Sequence, residues 1–266
     1  MTTLIDRRAD APLAPVTSTL RTMFGTDELP GLATGLLVAD EVVDGMGWMP
    51  ASELVDGTRL PELLDATRQR WGAAPHAAAA LAWKTYTYWL SLPVVLGWAS
   101  ARRVPLLRPA DVLVHLGDHR PLLTLGLRRS TTIAVLPSDP LALAGLPEVR
   151  VVADEAELLA VLRASLLDAH LTPMLDAIHA QVRVGPRTLL GSLASGVAYG
   201  VLRAADALPG ESAETIGVLL DTLDVADLIE LVPGPTGELT VQRKTCCLAF
   251  TLPQPKICAG CCIPTA

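Results

Sequence analysis

The chain has 266 residues, half of them hydrophobic, with 18% charged and 4% aromatic side chains and a mean hydropathy of +0.40. This composition excludes a disordered or low-complexity chain, which lacks the apolar side chains that offset ordering entropy; the length excludes a mini-protein that folds only when stapled. A net charge of −7 with no basic block argues against nucleic-acid binding, because phosphate contacts draw on clustered Lys and Arg.

No apolar run follows the basic residues near the N-terminus, so no secretory signal is expected and the chain is assigned to the cytoplasm, with peripheral membrane contact left open. Residues 11–72 alternate short apolar runs with turns, and a helix is expected from Leu60 to Trp71. A second helical pattern runs from Ala74 to Arg102, with Pro93 expected to kink or break it. Its uncharged stretch from Thr85 to Ser100 is 16 residues long, short of a membrane span, and reads as a buried core helix. Trp83, Tyr86 and Trp89 recur every three residues and read as core, with Tyr88 off that face.

Between Asp111 and Val152 the period shortens to that of strands. Residues 111–117, 121–127, 130–137 and 148–154 are expected to form an antiparallel meander, with turns at Gly117-Asp118 and Pro137-Ser138. His115 and His119 lie in or beside the first hairpin; with Asp118 the only carboxylate close by, they read as structural or exposed rather than metal-ligating. Asp154 is a good N-cap, with Glu157 completing a capping box. Thr172-Pro173 is expected to open a new helix. A small-residue helix follows from Gly185 to Leu208, then one from Ser212 to Leu231. Residues 238–243 and 247–252 read as a hairpin-like pair of extended segments. The fold class is therefore α+β: mainly helical, with a central antiparallel β-meander and a C-terminal cysteine-bearing segment over 242–266. A soft boundary near residue 153 separates regions 1–153 and 154–266, unless the two form one continuous domain.

All five cysteines fall in the last 21 residues: Cys246, Cys247, Cys258, Cys261 and Cys262. Three chemistries compete for them. Disulfides are rare where no export signal is read. A structural zinc takes four thiolates, but the adjacent pair Cys246-Cys247 would point to opposite faces of a strand. An iron–sulfur rhomb is wider than one ion and tolerates unusual spacing. A thiol redox pair between Cys258 and Cys262 is a further reading.

The pattern Cys-Cys, ten residues, Cys, two residues, Cys resembles the C-terminal motif of ferric siderophore reductases of the FhuF type. A basic and a small residue before the pair, and Leu252-Pro253 after it, are similar too. Ala80 to Tyr86 and Arg187 to Ala194 look like helices of that family more loosely. Cys262 departs from the family pattern. The resemblance implies a [2Fe–2S] cluster held by Cys246, Cys247, Cys258 and Cys261. It implies a one-electron oxidoreductase that frees Fe(II) from an imported ferric siderophore, hydroxamates favoured, with a ferredoxin or flavoprotein reductase as donor. Catalytic residues beyond the cluster are not expected. Arg243, Lys244 and Lys256 are candidates for tuning the cluster or attracting an anionic chelate. The competing functional reading is a zinc-stabilised binding protein of the siderophore pathway.

Overall fold

The computed structural model describes residues 11–26, 29–38, 47–117, 121–234, 237–258 and 260–263. Six helices of nine residues or more organise it: α1 (Ala14–Phe24), α2 (Leu60–Trp71), α3 (Pro75–Ala101), α4 (Glu155–Gln181), α5 (Pro186–Arg203) and α6 (Ser212–Thr222). The strands are β1 (Leu32–Val38), β2 (Trp48–Pro50), β3 (Arg103–Pro105), β4 (Val112–Leu116), β5 (Leu123–Arg128), β6 (Ile133–Val135), β7 (Val149–Val151), β8 (Ile229–Pro233) and β9 (Leu239–Arg243).

The helix expected from Leu60 to Trp71 forms with those bounds. Pro61 sits in its first turn, and Gly72 closes it in the left-handed conformation at φ 58°. α3 is the centre of the molecule, buried over most of its circumference. It runs through Pro93 without a break; its flanks are packed, and the lost backbone bond is one of many in 27 residues. At its end Arg102 adopts φ 52°, a conformation that usually calls for glycine. Its guanidinium holds the cap: Nη1 donates to Trp98 O at 2.9 Å, the plane stacks on the Trp98 ring at 4.2 Å, and Nε pairs with Glu155 at 2.7 Å. α3 and α4 are thereby tied at one corner.

The capping box at the start of α4 is present. Asp154 Oδ1 accepts from the Glu157 backbone N–H at 2.9 Å, and Glu157 Oε2 accepts from the Ala153 N–H at 2.7 Å. No new helix opens at Thr172-Pro173, however. α4 continues through them, because Ala164–Leu171 winds as a π-helix whose wider ladder leaves room for a proline with no N–H. The same segment carries His170, which is fully buried. Among the described residues α4 is the one helix long and apolar enough to cross a membrane, and half of its apolar window is buried in the fold. The stretch Thr85–Ser100 is, as expected, mostly core.

The β region departs from the expected meander. Four of its strands exist, but in two sheets. β4 and β5 form an antiparallel hairpin inside the order β1-β5-β4-β2, with β1 parallel to β5. β6 instead joins the order β3-β6-β7, antiparallel to β3 and parallel to β7. Three-residue strands such as β2 and β3 are too short to show a period. The turn at Pro137-Ser138 is present; Asp118 and His119 lie outside the described residues. His115 pairs in register with Trp48, and their rings lie 5.6 Å apart. The last expected helix stops at Thr222, and Ile229–Leu231 belong to β8, whose partner is β9. The segment 247–252 does not pair with β9 but forms a short 3-10 turn at Ala249–Thr251. There apolar pairing of β8 with β9 outweighs a hairpin that would have to span two adjacent cysteines.

Candidate functional site

Two helix faces and the C-terminal segment enclose a groove of about 870 Å³. From α3 come Lys84, Thr85, Tyr88 and Trp89, at helical spacing on one partly exposed stripe. From α5 come Ser192, Ser195, Gly196, Tyr199 and Arg203, again one stripe. The walls are held in register by Trp83, whose buried indole N–H donates to Leu189 O at 2.7 Å. They approach closely because α5 is poor in side-chain bulk: a Cβ on Gly196 would touch Tyr88, and one on Gly200 would press on Leu92 at 2.8 Å. The small residues of α5 therefore serve helix packing, as their pattern suggests. Trp89 also stacks on Phe24 at 5.6 Å, and Arg203 lies over the Phe24 ring at 4.7 Å.

The third wall is the cysteine-bearing segment. Cys247, Ala249 and Leu252 pack with Ala73, Ala77, Ala78 and Leu81 into a small satellite core on the first turns of α3. Two bonds tie the final turn to β9. The Arg243 backbone N–H donates to Gly260 O at 2.9 Å, and Gln242 Nε2 donates to Cys261 O at 2.9 Å. Gly260 sits so close to β9 that a Cβ there would overlap the Val241 carbonyl. Lys256, Ile257 and Cys258 are thereby placed along the groove.

Among the described residues four cations line it, Lys84, Arg203, Arg243 and Lys256, and no Asp or Glu does. In a chain of net charge −7 this is a local inversion of sign. Arg243 is 3% exposed. Its Nη2 donates to Ser192 Oγ at 2.9 Å, while Nε and Nη1 meet no acceptor among the described residues. Burial pushes the Tyr88 hydroxyl up from its ordinary range, and the neighbouring Arg203 partly opposes this. Burial likewise raises Tyr199, with Cys258 adding and Thr240 and Arg243 opposing.

Of the three basic candidates, Arg243 and Lys256 line the groove, whereas Lys244 is exposed and outside its lining. Lys84, Arg203 and the serines of α5 were not singled out from sequence. Their signal was present as spacing on two helices, but only the packing of α3 on α5 makes it one surface.

Cys247 and Cys258 line the groove, and electrostatic interactions link Cys258 to Cys247 and Cys261 and link Cys262 to Cys246 and Cys261. Burial raises Cys258; the nearby Cys247 and Cys261 add to this, and Lys84 and Arg243 oppose it. Burial also raises Cys262, helped by Cys246 and Cys261, with a hydrogen bond between the Cys262 and Cys246 thiols. Cys246 Sγ accepts from the Leu248 N–H at 3.3 Å, and Cys261 Sγ from the Ile263 N–H at 3.5 Å. Such N–H···S contacts suit a thiolate ligand. Among the described residues, however, no three His, Cys, Asp or Glu side chains converge on a point where one metal ion would be held. The tetrahedral zinc site of the competing reading is not formed, and neither is a ready-made metal-ligand group of the kind expected for iron.

No family model matches the chain, and no curated protein matches it. Solved structures do. Aerobactin synthetase IucA from a hypervirulent pathotype of Klebsiella pneumoniae superposes with a TM-score of 0.55 at 14% identity, over 91% of this chain and 49% of that one. Its ATP-bound form gives 0.56, also at 14% identity, over 91% and 48%. The chain thus spans about half the length of these synthetases. These findings overturn the reading as a ferric siderophore reductase fed by an electron-donor protein. The neighbours are enzymes that make a siderophore rather than reduce one, and no reductase family model matches. The terms oxidoreductase, iron reduction and electron transfer fall with it, and so does the zinc-stabilised scaffold. The fold this chain carries is shared with half of a siderophore synthetase.

Proposed function

We propose that the chain serves siderophore biosynthesis and that its groove holds an anionic siderophore or siderophore precursor. The observation that carries this reading is the lining by the described residues: four cations and no carboxylate, against the aromatic surfaces of Trp71, Tyr88, Trp89 and Tyr199. A volume near 870 Å³ is at the large end of small-molecule sites and suits a chelator. The resemblance in fold to aerobactin synthetase supports the siderophore side of the proposal. The ATP-dependent work of that enzyme belongs to a chain twice as long, so the role proposed for this one is to hold and orient the chelator.

Trp71 and Trp89 line the groove, so binding should be read in tryptophan fluorescence. Aerobactin is expected to quench it saturably, and raising salt from about 0.05 to 0.5 M should weaken binding several-fold because rim charges are screened. Lys84→Gln and Lys256→Gln should each weaken it by roughly three- to tenfold, about 1 kcal/mol per partly exposed charge pair. A flat titration at millimolar aerobactin would refute the reading.

We propose further that Cys246, Cys247, Cys258 and Cys261 take up a [2Fe–2S] cluster. Support comes from the gathering of the thiols and from the N–H donors to two of them. A two-iron rhomb does not require its four ligands to converge on one point. A bound cluster would supply iron–thiolate bonds linking the final turn, through Cys258 and Cys261, to the Cys246-Cys247 segment. Anaerobic reconstitution should give about two iron and two sulfide per chain and visible charge-transfer bands. Cys261→Ser should lose these bands, and Cys262→Ser should keep them. Loss in neither variant would remove the assignment.

A further inference from the structure

Arg243 ends β9 and is 97% buried by its surroundings, with only 3% exposure, yet it lines the groove. Burying a guanidinium is costly unless its charge and its donors are answered. Here one donor is answered, by Ser192 Oγ at 2.9 Å. Nε and Nη1 are enclosed and donate to nothing among the described residues. Among the described residues, the ionisable groups it acts on are the thiols of Cys258 and Cys262 and the phenol of Tyr199, with no carboxylate among them. Thiolates there would answer part of its charge, but a ligand without an acceptor would still leave Nε and Nη1 without a hydrogen-bond partner.

We infer that Arg243 is the anchor for one carboxylate group of the ligand, so that the groove selects carboxylate-bearing chelators over neutral ones. The inference rests on the reading of the groove as a chelator site and names its substrate class. A guanidinium offers a planar set of N–H donors, which matches the two coplanar oxygens of a carboxylate. Lys84 and Lys256 differ in kind: they are flexible point charges at the rim and impose no such geometry. Phosphate would satisfy the same donors, but among the described residues the lining has no glycine-rich loop and no helix N-terminus to cradle it, and the side chains beside Arg243 include Tyr199 and Cys258. Ser192 serves as a positioning residue, since its bond to Nη2 fixes the plane of the guanidinium.

The test compares ligands on the wild-type protein and variants on one ligand. Tricarballylate, its neutral trimethyl ester, aerobactin and ATP are titrated by tryptophan fluorescence and calorimetry. Tricarballylate and aerobactin are expected to bind, the ester at least tenfold more weakly. Arg243→Lys keeps the charge but loses the fork, and should weaken both acids about tenfold or more. Ser192→Ala should weaken them less, by a few-fold. If aerobactin binds wild type and Arg243→Lys equally well, or the ester binds as well as the acid, the anchor is wrong while the groove reading stands. If ATP binds in an Arg243-dependent way and the acids do not, the site is for phosphate and the inference is overturned. If none of the four binds, the groove reading itself fails. Should Arg243→Lys not fold, the acid-to-ester comparison on wild type decides alone.

Discussion

Acidification from pH 7 to 4.5 is expected to cost this protein about 2 kcal/mol through one residue, His170. The ring is fully buried in the π-helical part of α4. Its Nδ1 lies 2.7 Å from Leu107 O, which can only accept, so Nδ1 carries the proton. Nε2, 2.7 Å from Tyr86 Oη, is then the acceptor of the Tyr86 hydroxyl. Both nitrogens are satisfied in the neutral ring, and a second proton would have to displace the Tyr86 donor. Burial drives the pKa from 6.5 down to about 4, only partly offset by the Leu107 carbonyl. A group whose pKa is lower in the folded state stabilises the fold above its unfolded value and loses that contribution as pH falls. The window is therefore pH 6.5 to about 4. Urea unfolding of wild type and His170→Gln at pH 7 and 4.5 checks this. Wild type should be the more stable at pH 7, and most of the gap should close at pH 4.5. An unchanged gap would mean that His170 does not titrate in this window.

Gly260→Ala is expected to release the last turn of the chain and at least tenfold of ligand affinity with it. The added methyl would overlap the Val241 carbonyl and lie 3.1 Å from Tyr199 Oη. Backbone cannot yield there without breaking the Arg243 N–H bond to Gly260 O. Overpacking of this kind costs about 1–3 kcal/mol, enough to offset the roughly 1–3 kcal/mol that two hydrogen bonds return in a peripheral turn. The satellite core around Leu252 holds the segment upstream, so the melting temperature should fall by only a few degrees. The sensitive readout is trypsin. Lys256 is already exposed, but its flanks are held against the groove; once released, cleavage after it should accelerate at least tenfold. Equal cleavage rates would show that the turn tolerates the methyl.

What could be read from sequence divides along physical lines. Local signals survived: the Asp154 box, the Pro61-to-Gly72 helix, and the buried character of Thr85–Ser100, each decided by neighbours a few residues apart. Pairings did not. The strand at Ile133–Val135 is three apolar residues long and reads the same whether it continues a meander or crosses to β3 and β7, and only the tertiary partner decides. The site shows the same split. Arg243 and Lys256 were legible as charges near the cysteines, whereas Lys84 and Arg203 lie 119 positions apart and become one field only when α3 packs on α5. The cysteine spacing pointed to a cofactor motif, and from there to a reductase; the solved structures that share the fold are those of a siderophore synthetase.

The π-helical segment of α4 also sets a phase. Leu158 and Leu162 before it and Met174 and Ile178 after it are all fully buried. Each pair is sixteen residues apart, which in an unbroken α-helix at about 100° per residue would leave the partners roughly 160° out of line. Eight residues wound at roughly 4.4 per turn take back most of that angle, so both halves of α4 face the core. A version of this chain with an ordinary α-helix there would have to be one or two residues shorter to keep its core intact. It would also lose the position that turns His170 inward. The extra residues thus act as a vernier between the two ends of one helix, and deletions across Ala164–Leu171 should be tolerated only in that number.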